Sequence, residues 1–205
     1  MEGCSMDRDK QLEEIAKEYL QQRYSVVLQE IERYYQSQKG EIMEQLACKL
    51  RKGLEDCKKK NKSVIYIIFS ILESSILTKS YELQIALCDE RLYLDENAVY
   101  VYWTPSFLFE HVEEDMLLFH KKASQTVIRI REYEVERVRK QYVVNHYFQV
   151  SVLLRDMIPA ILSYEKADCA VLGPTTSILF GKYMERPMLL YYLEREKTGG
   201  GIHGQ

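Results

Sequence analysis

The spacing of apolar residues changes along the chain. Residues 80–90 alternate between apolar side chains and polar or small ones, and residues 64–72 form an unbroken apolar run. Before and after this central stretch, apolar residues recur every three or four positions. A period of two places successive side chains on opposite faces of a β-strand, whereas the longer period gathers them on one side of an α-helix. The sequence therefore predicts an α+β fold, with helices on both sides of a central sheet.

The sheet is expected to be a central antiparallel β-meander of three to five strands. The run at residues 64–72 predicts a strand covered on both faces, and residues 80–90 predict a strand with one buried face. Residues 91–94 and 98–103 predict two further short strands, because the three polar residues between them favour a tight turn.

The N-terminal part predicts a long helical hairpin. Apolar stripes run through residues 7–38 and 41–60. Gly40 lies between them and is a typical helix stop, because glycine adopts the left-handed conformation without strain. The short connection implies two antiparallel helices.

A long C-terminal helix, over residues 132–163, is expected to pack on the sheet. Residues 126–131 fit a strand or a helix, and we predict a short strand there. Residues 177–184 predict another strand. Shorter helices are predicted to begin at Pro105 and at Pro187, since proline favours the first helical position.

This order of elements predicts three segments. The helical hairpin occupies residues 1–62, an α+β core domain occupies residues 63–198, and a flexible glycine-rich tail occupies residues 199–205.

Composition indicates an ordinary folded protein of the cytoplasm. Hydrophobic residues make up 46% of the chain and charged residues 29%. The longest apolar run is shorter than the roughly 20 residues that cross a bilayer, and the first ten residues lack the pattern of a signal peptide. We therefore expect no membrane partner. Five cysteines without a CxxC pair predict free thiols in a reducing compartment.

The sequence also argues against nucleotide-binding loops. No glycine lies between Gly53 and Gly173, whereas phosphate-binding loops need glycines so that backbone amides can approach the ligand. We expect no cofactor. Whether the protein is an enzyme stays open, but the absence of a nucleophile motif favours a non-enzymatic protein.

Three residues are weak candidates for catalysis. His146 has an ordinary pKa near neutrality and amide side chains nearby, but it lies on an apolar stripe, where a histidine usually belongs to the core. If a polar pocket exists, we expect it around His146, between the sheet and the long helix, with Glu132 and Glu136 as partners.

Three more residues are weak candidates for a metal site. Glu114 and Asp115 follow His111 by three and four positions, so the side chains can share one face of a helix. The chain lacks the Glu-x-x-His pairs of carboxylate-bridged sites. A solvated acidic face is therefore the favoured interpretation, and no metal is expected.

A basic cluster follows the second apolar stripe, formed by Lys58, Lys59, Lys60 and Lys62. It raises the alternative of nucleic-acid binding. Cations near a helix C-terminus also stabilise the helix dipole, and the net charge of −3 disfavours binding to a polyanion. We expect a solvated helix end.

Tyrosine content and charge distribution instead indicate protein contacts. The chain has sixteen tyrosines, and tyrosine is enriched at protein interfaces. Residues 63–119 hold ten acidic and two basic residues, whereas the long C-terminal helix begins with a basic face. We expect a non-enzymatic structural or adaptor protein whose partner is itself, as a homodimer, or another protein. The candidate interface residues are Tyr24, Val27, Ile31, Tyr34, Arg137 and Tyr142.

Overall fold

The structure is a computed structural model that describes the backbone of residues 2–164 and 171–194 and the side chains of residues 8–163 and 171–194. It has the predicted α+β class. Its elements are α1 (Glu2–Lys59), β1 (Val64–Ile71), α2 (Glu73–Leu77), β2 (Leu83–Cys88), β3 (Val99–Trp103), α3 (Val112–Ala123), α4 (Glu132–Tyr164), β4 (Leu172–Lys182) and β5 (Met188–Glu194).

The sheet has five strands in the order β3-β2-β1-β4-β5. The predicted antiparallel meander is confirmed for β1, β2 and β3. The sheet as a whole is mixed, because β4 lies parallel to β1 and antiparallel to β5. Parallel neighbours need a long crossover connection, and the residues between β3 and β4, which include α3 and α4, provide one.

The chain forms two compact units. The first comprises Met1–Ile42 and Pro105–Val150, and the second comprises Met43–Thr104 and Ser151–Gln205. Helices α1 and α4 are each divided between the two units, with one part in each. The predicted segment boundaries at residues 62 and 198 stay predictions, and the predicted tail at residues 199–205 lies outside the described residues.

The first unit is built from three helical segments. Arg8 of α1 binds Glu134, near the start of α4, and the Tyr24 hydroxyl donates to the Asn145 carbonyl, about four turns further along α1 and about three turns further along α4. The first part of α1 therefore runs parallel to α4. It runs antiparallel to α3, since Arg23 binds Asp115 near the start of α3, whereas Glu18, earlier in α1, lies 3.9 Å from Lys122 near the end of α3.

In the second unit, helical segments cover one face of the sheet. The covered face includes Leu83, Ile85 and Leu87 of β2, which are fully buried. The second part of α1 lies directly over them, because a Cβ atom added to Gly53 would lie 2.9 Å from the Leu87 Cδ1 atom. The second part of α4 lies over the β4–β5 half of the same face, where the Arg155 Nη2 atom lies 4.0 Å from the Met188 sulfur.

The predicted helical hairpin is wrong: α1 is one continuous helix of 58 residues. Gly40 lies inside it with a negative φ, and a Cβ atom added there would meet nothing within 4 Å. A glycine costs a helix only about 1 kcal/mol relative to alanine. Buried side chains before and after it, such as Tyr35 and Ile42, hold both flanking turns in place.

The predicted strand at residues 126–131 is also wrong, since residues 126–129 form turns and a bend and residues 130–131 are irregular. The backbone carbonyls of Ile128 and Arg129 accept hydrogen bonds from the Arg8 guanidinium, and Arg129 has a φ of 57°. The carboxylate of Glu134 accepts a hydrogen bond from the Arg131 amide at 2.7 Å. Side chains therefore make hydrogen bonds to these backbone groups, which in a β-strand would bond to a neighbouring strand.

Residues 91–94 are a 3₁₀ turn at Leu92–Leu94 and not a strand. The Asp95 carboxylate accepts the amide hydrogens of Asp89 at 2.8 Å and Asn97 at 2.9 Å. Aspartate commonly forms such local bonds, which favour a turn over an extended strand.

Two predicted helix positions are corrected as well. After Pro105 the chain makes one 3₁₀ turn at Ser106–Leu108, and α3 begins only at Val112. After Pro187 the chain forms β5, not a helix, because it pairs with β4 along the edge of the sheet. The predicted long helix at residues 132–163 is confirmed as α4. The predicted strand at 177–184 is confirmed as far as Lys182, where β4 ends, and residues 183–184 form a turn.

Candidate functional site

The three helical segments of the first unit meet at Asp115, a fully buried residue of α3. Its Oδ1 atom accepts a hydrogen bond from the Arg23 Nε atom at 2.5 Å, and its Oδ2 atom accepts one from the Tyr142 hydroxyl at 2.7 Å. The Tyr19 hydroxyl donates to its backbone carbonyl at 3.1 Å. A buried carboxylate needs such compensation. Asp115 therefore ties α1 and α4 to α3.

His146 lies one turn after Tyr142 on α4 and is almost fully buried. Its ring packs against the rings of Tyr24, Phe109 and Tyr142, with centroids 5.6, 5.9 and 4.4 Å away. Burial lowers the pKa of His146, so the imidazole is neutral at neutral pH. Its Nδ1 atom lies 2.8 Å from the Tyr142 carbonyl oxygen, which assigns the proton to Nδ1. His146 is therefore an aromatic-packed core residue.

Tyr142, one turn before His146, also keeps a single protonation state. Burial raises the pKa of Tyr142 far above its ordinary value, and the Asp115 carboxylate raises it further. The phenol therefore stays protonated and serves as a hydrogen-bond donor.

The structure does not bring the three catalytic candidates together. Glu136 and Glu132 precede His146 by ten and fourteen positions on α4, which separates them from it by about 15 and 21 Å along the helix axis. Glu136 accepts hydrogen bonds from the Arg139 guanidinium at 2.8 and 2.5 Å, and Glu132 is exposed. No acid–base pair is formed with His146.

The metal candidates are also divided. The His111 Nδ1 atom lies 3.9 Å from a Glu114 oxygen at the surface, whereas both carboxylate oxygens of Asp115 are engaged in the core. Within the described ranges, no group of three or more histidine, cysteine or acidic residues is placed to hold a metal ion. The same ranges contain no helix that is long and apolar enough to cross a membrane.

A groove of about 620 Å³ opens in the first unit between α1 and α4. Its floor is apolar and includes Leu12, Ala16 and Val138, which are buried. Polar side chains form its rims. The groove is lined by Leu12, Glu13, Ala16, Lys17, Leu20, Gln21, Tyr24, Arg137, Val138, Gln141 and Asn145.

The basic cluster after α1 is partly engaged inside the second unit. The Lys62 ammonium forms a buried ion pair with Asp95 and also donates to the Asn97 carbonyl at 2.9 Å. Burial alone would raise the pKa of Asp95, but Lys62 and two backbone amides outweigh it and hold that pKa below its ordinary value. Lys59 binds Asp56 at 2.8 Å. Lys62 is thus a structural residue.

Two free cysteines close to this ion pair are inert as nucleophiles. Burial raises the pKa of the Cys57 thiol to about 11 and that of Cys88 to about 11. A thiolate is the reactive form of cysteine, and at neutral pH these side chains are almost entirely thiols.

The other face of the sheet carries a row of tyrosines. The strand register places Tyr100 and Tyr102 of β3 beside Ala86 and Gln84 of β2, and Tyr66 of β1 beside Ser177 of β4. Ser177 in turn lies beside Tyr192 of β5. Residues directly opposite each other lie on one face. We call this surface the tyrosine face, and its strand residues are Tyr66, Tyr100, Tyr102, Leu179, Leu189 and Tyr192.

Much of the tyrosine face is exposed. Tyr100 is 48% exposed, Tyr102 43% and Tyr192 49%. Its middle is covered by the loop after β2, where Tyr93 packs against a small cluster of Ile68, Ala86 and Cys88. Within the second unit, the α1 and α4 segments lie on the opposite face, and the tyrosines of β3 and Tyr192 of β5 are exposed on this one.

The predicted interface residues lie in different environments of the first unit. Val27, Ile31 and Tyr142 are 2%, 6% and 0% exposed, so the chain itself covers them. Tyr24 and Arg137 line the groove. Tyr34 is 47% exposed and stacks on Phe107 with ring centroids 5.3 Å apart. Tyr34 and Arg137 are therefore the exposed part of the predicted interface, and Tyr24 is half-buried.

No protein-family model matches the sequence, and neither the curated proteins nor the solved structures include a match.

Sequence reasoning missed both the Asp115 cluster and the tyrosine face. Arg23 and Tyr142 are 92 and 27 positions away from Asp115, so no local pattern connects them. For the tyrosine face a signal was present, because Tyr100 and Tyr102 are two positions apart in a predicted strand. Tyr192 was missed because its segment was predicted to be helical.

Proposed function

We propose that this chain is a non-enzymatic structural or adaptor protein that acts through protein–protein contacts as a homo-oligomer. The observation that supports it is the tyrosine face, where Tyr100, Tyr102 and Tyr192 are each nearly half exposed on one side of the sheet. Tyrosine combines a large apolar ring with a polar hydroxyl, and it is enriched where protein surfaces meet.

The environment of the ionisable core residues supports the same proposal. In the first unit, the buried groups Asp115, Tyr142 and His146 bind other groups of the same unit. In the second unit, Lys62 and Asp95 bind each other. Groups engaged in this way stabilise the fold and are poorly placed to act on a substrate.

A second candidate function, small-ligand binding, has one observation in its favour. The groove between α1 and α4 has the volume and the apolar floor with polar rims that are typical of ligand sites. It is lined by Tyr24, Arg137 and Asn145 and not by His146, so any ligand would bind beside α1.

The homo-oligomer is tested by light scattering coupled to gel filtration over a range of micromolar concentrations. The chain mass is 24.3 kDa, and we expect a particle of twice that mass. A particle of 24.3 kDa throughout the range would overturn the proposal.

Ligand binding is tested by screening a library of small molecules for compounds that raise the melting temperature. A compound that raises it in the parent, and not in an Asn145→Trp variant of the groove, would favour ligand binding instead.

A further inference from the structure

Strand β5 is apolar but only partly covered. Its sequence from Met188 to Leu193 is an unbroken run of apolar and aromatic residues, yet none of the seven residues of the strand is buried. At the opposite edge of the sheet, three of the five residues of β3 are buried. Large apolar residues left exposed side by side usually mark a contact surface.

The outer edge of β5 is also unpaired within the described residues. The strand bonds to β4 on one side and is the last strand of the sheet. An open edge presents free backbone N–H and C=O groups to another strand, and proteins usually protect it with lysine or other charges. Residues 188–193 contain no charge. The register between β4 and β5 shifts at Leu190, but this irregularity places no charge on the edge.

The charges at the two ends of β5 identify a suitable occupant. Arg186 precedes the strand and Glu194 ends it, and both are exposed. Neither has an ion-pair partner among the described residues, whereas the neighbouring Glu185 lies 3.8 Å from Lys182. A second copy running antiparallel would bring each Arg186 end to a Glu194 end. A parallel copy would bring like charges together, which is unfavourable.

We propose that two copies of this chain pair antiparallel along β5, about a two-fold axis perpendicular to the sheet. This inference rests on the proposed homo-oligomer and assigns its contact surface. The arrangement joins two five-stranded sheets into one, and it consumes the open β5 edge of both copies, so that assembly stops at the dimer. Because the axis is perpendicular to the sheet, the tyrosine faces of the two copies form one continuous surface, with Tyr192 of each near the axis.

The test is a charge exchange at the ends of the strand. Arg186→Glu and Glu194→Arg, each alone, place like charges at both ends of the paired strands and should raise the dimer dissociation constant about tenfold. The double variant restores opposite charges and should return the constant to near the parent value. Sedimentation equilibrium measures all four proteins. Arg33→Glu, on an exposed position of α1, makes the same charge change away from β5 and should have no effect.

A second variant tests the strand itself. Leu190→Lys introduces an edge-protecting charge into β5 and should give a monomer with an unchanged circular dichroism spectrum. Leu117→Lys, at a position of α3 that is 73% exposed, makes the same change away from β5 and should leave the dimer intact.

Each outcome decides between the proposals. A parent protein that is monomeric refutes the homo-oligomer itself. A parent dimer that survives Leu190→Lys and both single charge reversals refutes the β5 contact and leaves the homo-oligomer standing. Single reversals that weaken the dimer without rescue in the double variant refute the antiparallel arrangement. If Leu190→Lys does not fold, the charge exchange alone decides.

Discussion

At the scale of single residues, the first unit depends on Asp115. Asp115→Ala removes the acceptor of both Arg23 and Tyr142 and leaves these two groups unpaired. We expect a loss of about 3 kcal/mol in the free energy of unfolding, near the lower limit for breaking a buried ion pair. The reason is that the Arg23 side chain is 25% exposed and can turn towards water.

Urea denaturation measures this loss, and the neighbouring residue provides the control. The Glu114 side chain is 71% exposed, so Glu114→Ala should change the free energy of unfolding by less than about 0.5 kcal/mol. Equal effects of the two substitutions would contradict the role given to Asp115.

His146 makes stability depend on pH. Burial lowers its pKa in the folded protein below the value of 6.5 expected for an unfolded histidine. The unfolded state therefore binds more protons between these two pKa values, and the free energy of unfolding falls as the pH drops below 6.5. The full contribution is present above that pH. One such group changes the free energy by at most about 1.4 kcal/mol per pH unit.

The dependence is measured by urea denaturation of the parent and of His146→Phe in mildly acidic and neutral buffers. The phenylalanine variant should lose the part of the slope that His146 provides, because its side chain does not titrate. His120→Phe, at an exposed position, should keep the parent slope. A parent slope retained in His146→Phe would show that another group causes the effect.

At the scale of elements, the continuity of α1 is tested by its two internal glycines. Gly40 has open space where a Cβ atom would lie and a helical φ. Gly40→Ala should therefore raise the free energy of unfolding by about 0.5–1 kcal/mol. Gly53 lies against the sheet, where an added Cβ atom would come within 2.9 Å of the Leu87 side chain. Gly53→Ala should stabilise less than Gly40→Ala or destabilise.

Thermal melts followed by circular dichroism compare the two variants. A lower melting temperature for Gly40→Ala than for the parent would support a helix stop at Gly40, as the sequence alone predicts, and would contradict the continuous helix.

At the scale of the whole molecule, charge argues against nucleic-acid binding. The net charge is −3, and one of the four lysines in the basic cluster is committed to an internal ion pair. Replacing Lys58, Lys59 and Lys60 together with glutamine should change the melting temperature little, since all three are exposed. Lys62→Gln leaves Asp95 buried without its cation and should cost about 3 kcal/mol.

Gel-shift assays at low and moderate salt complete this comparison. Neither the parent nor the triple variant should bind single- or double-stranded DNA. A salt-dependent shift that the triple variant loses would reinstate nucleic-acid binding, because contacts to phosphates weaken steeply as salt rises.

Local patterns in the sequence determined much of the architecture. The alternation at residues 80–90 and the apolar run at 64–72 became two adjacent central strands, and the stripe at 132–163 became α4. These predictions succeeded because the period of the apolar residues states directly which side chains must be buried together.

The tertiary structure decided what local signals left open or misstated. Gly40 is a helix stop by its local preference. The free energy gained by packing the helical turns before and after it exceeds the cost of a glycine in a helix, so α1 continues through this position. The apolar run after Pro187 fits either a buried helix or a strand, and its pairing with β4 makes it a strand. Asp115 looked like part of a solvated acidic face until Arg23 and Tyr142, distant in sequence, met it in the core. In each case the deciding free energy comes from residues far along the chain, which no window of sequence contains.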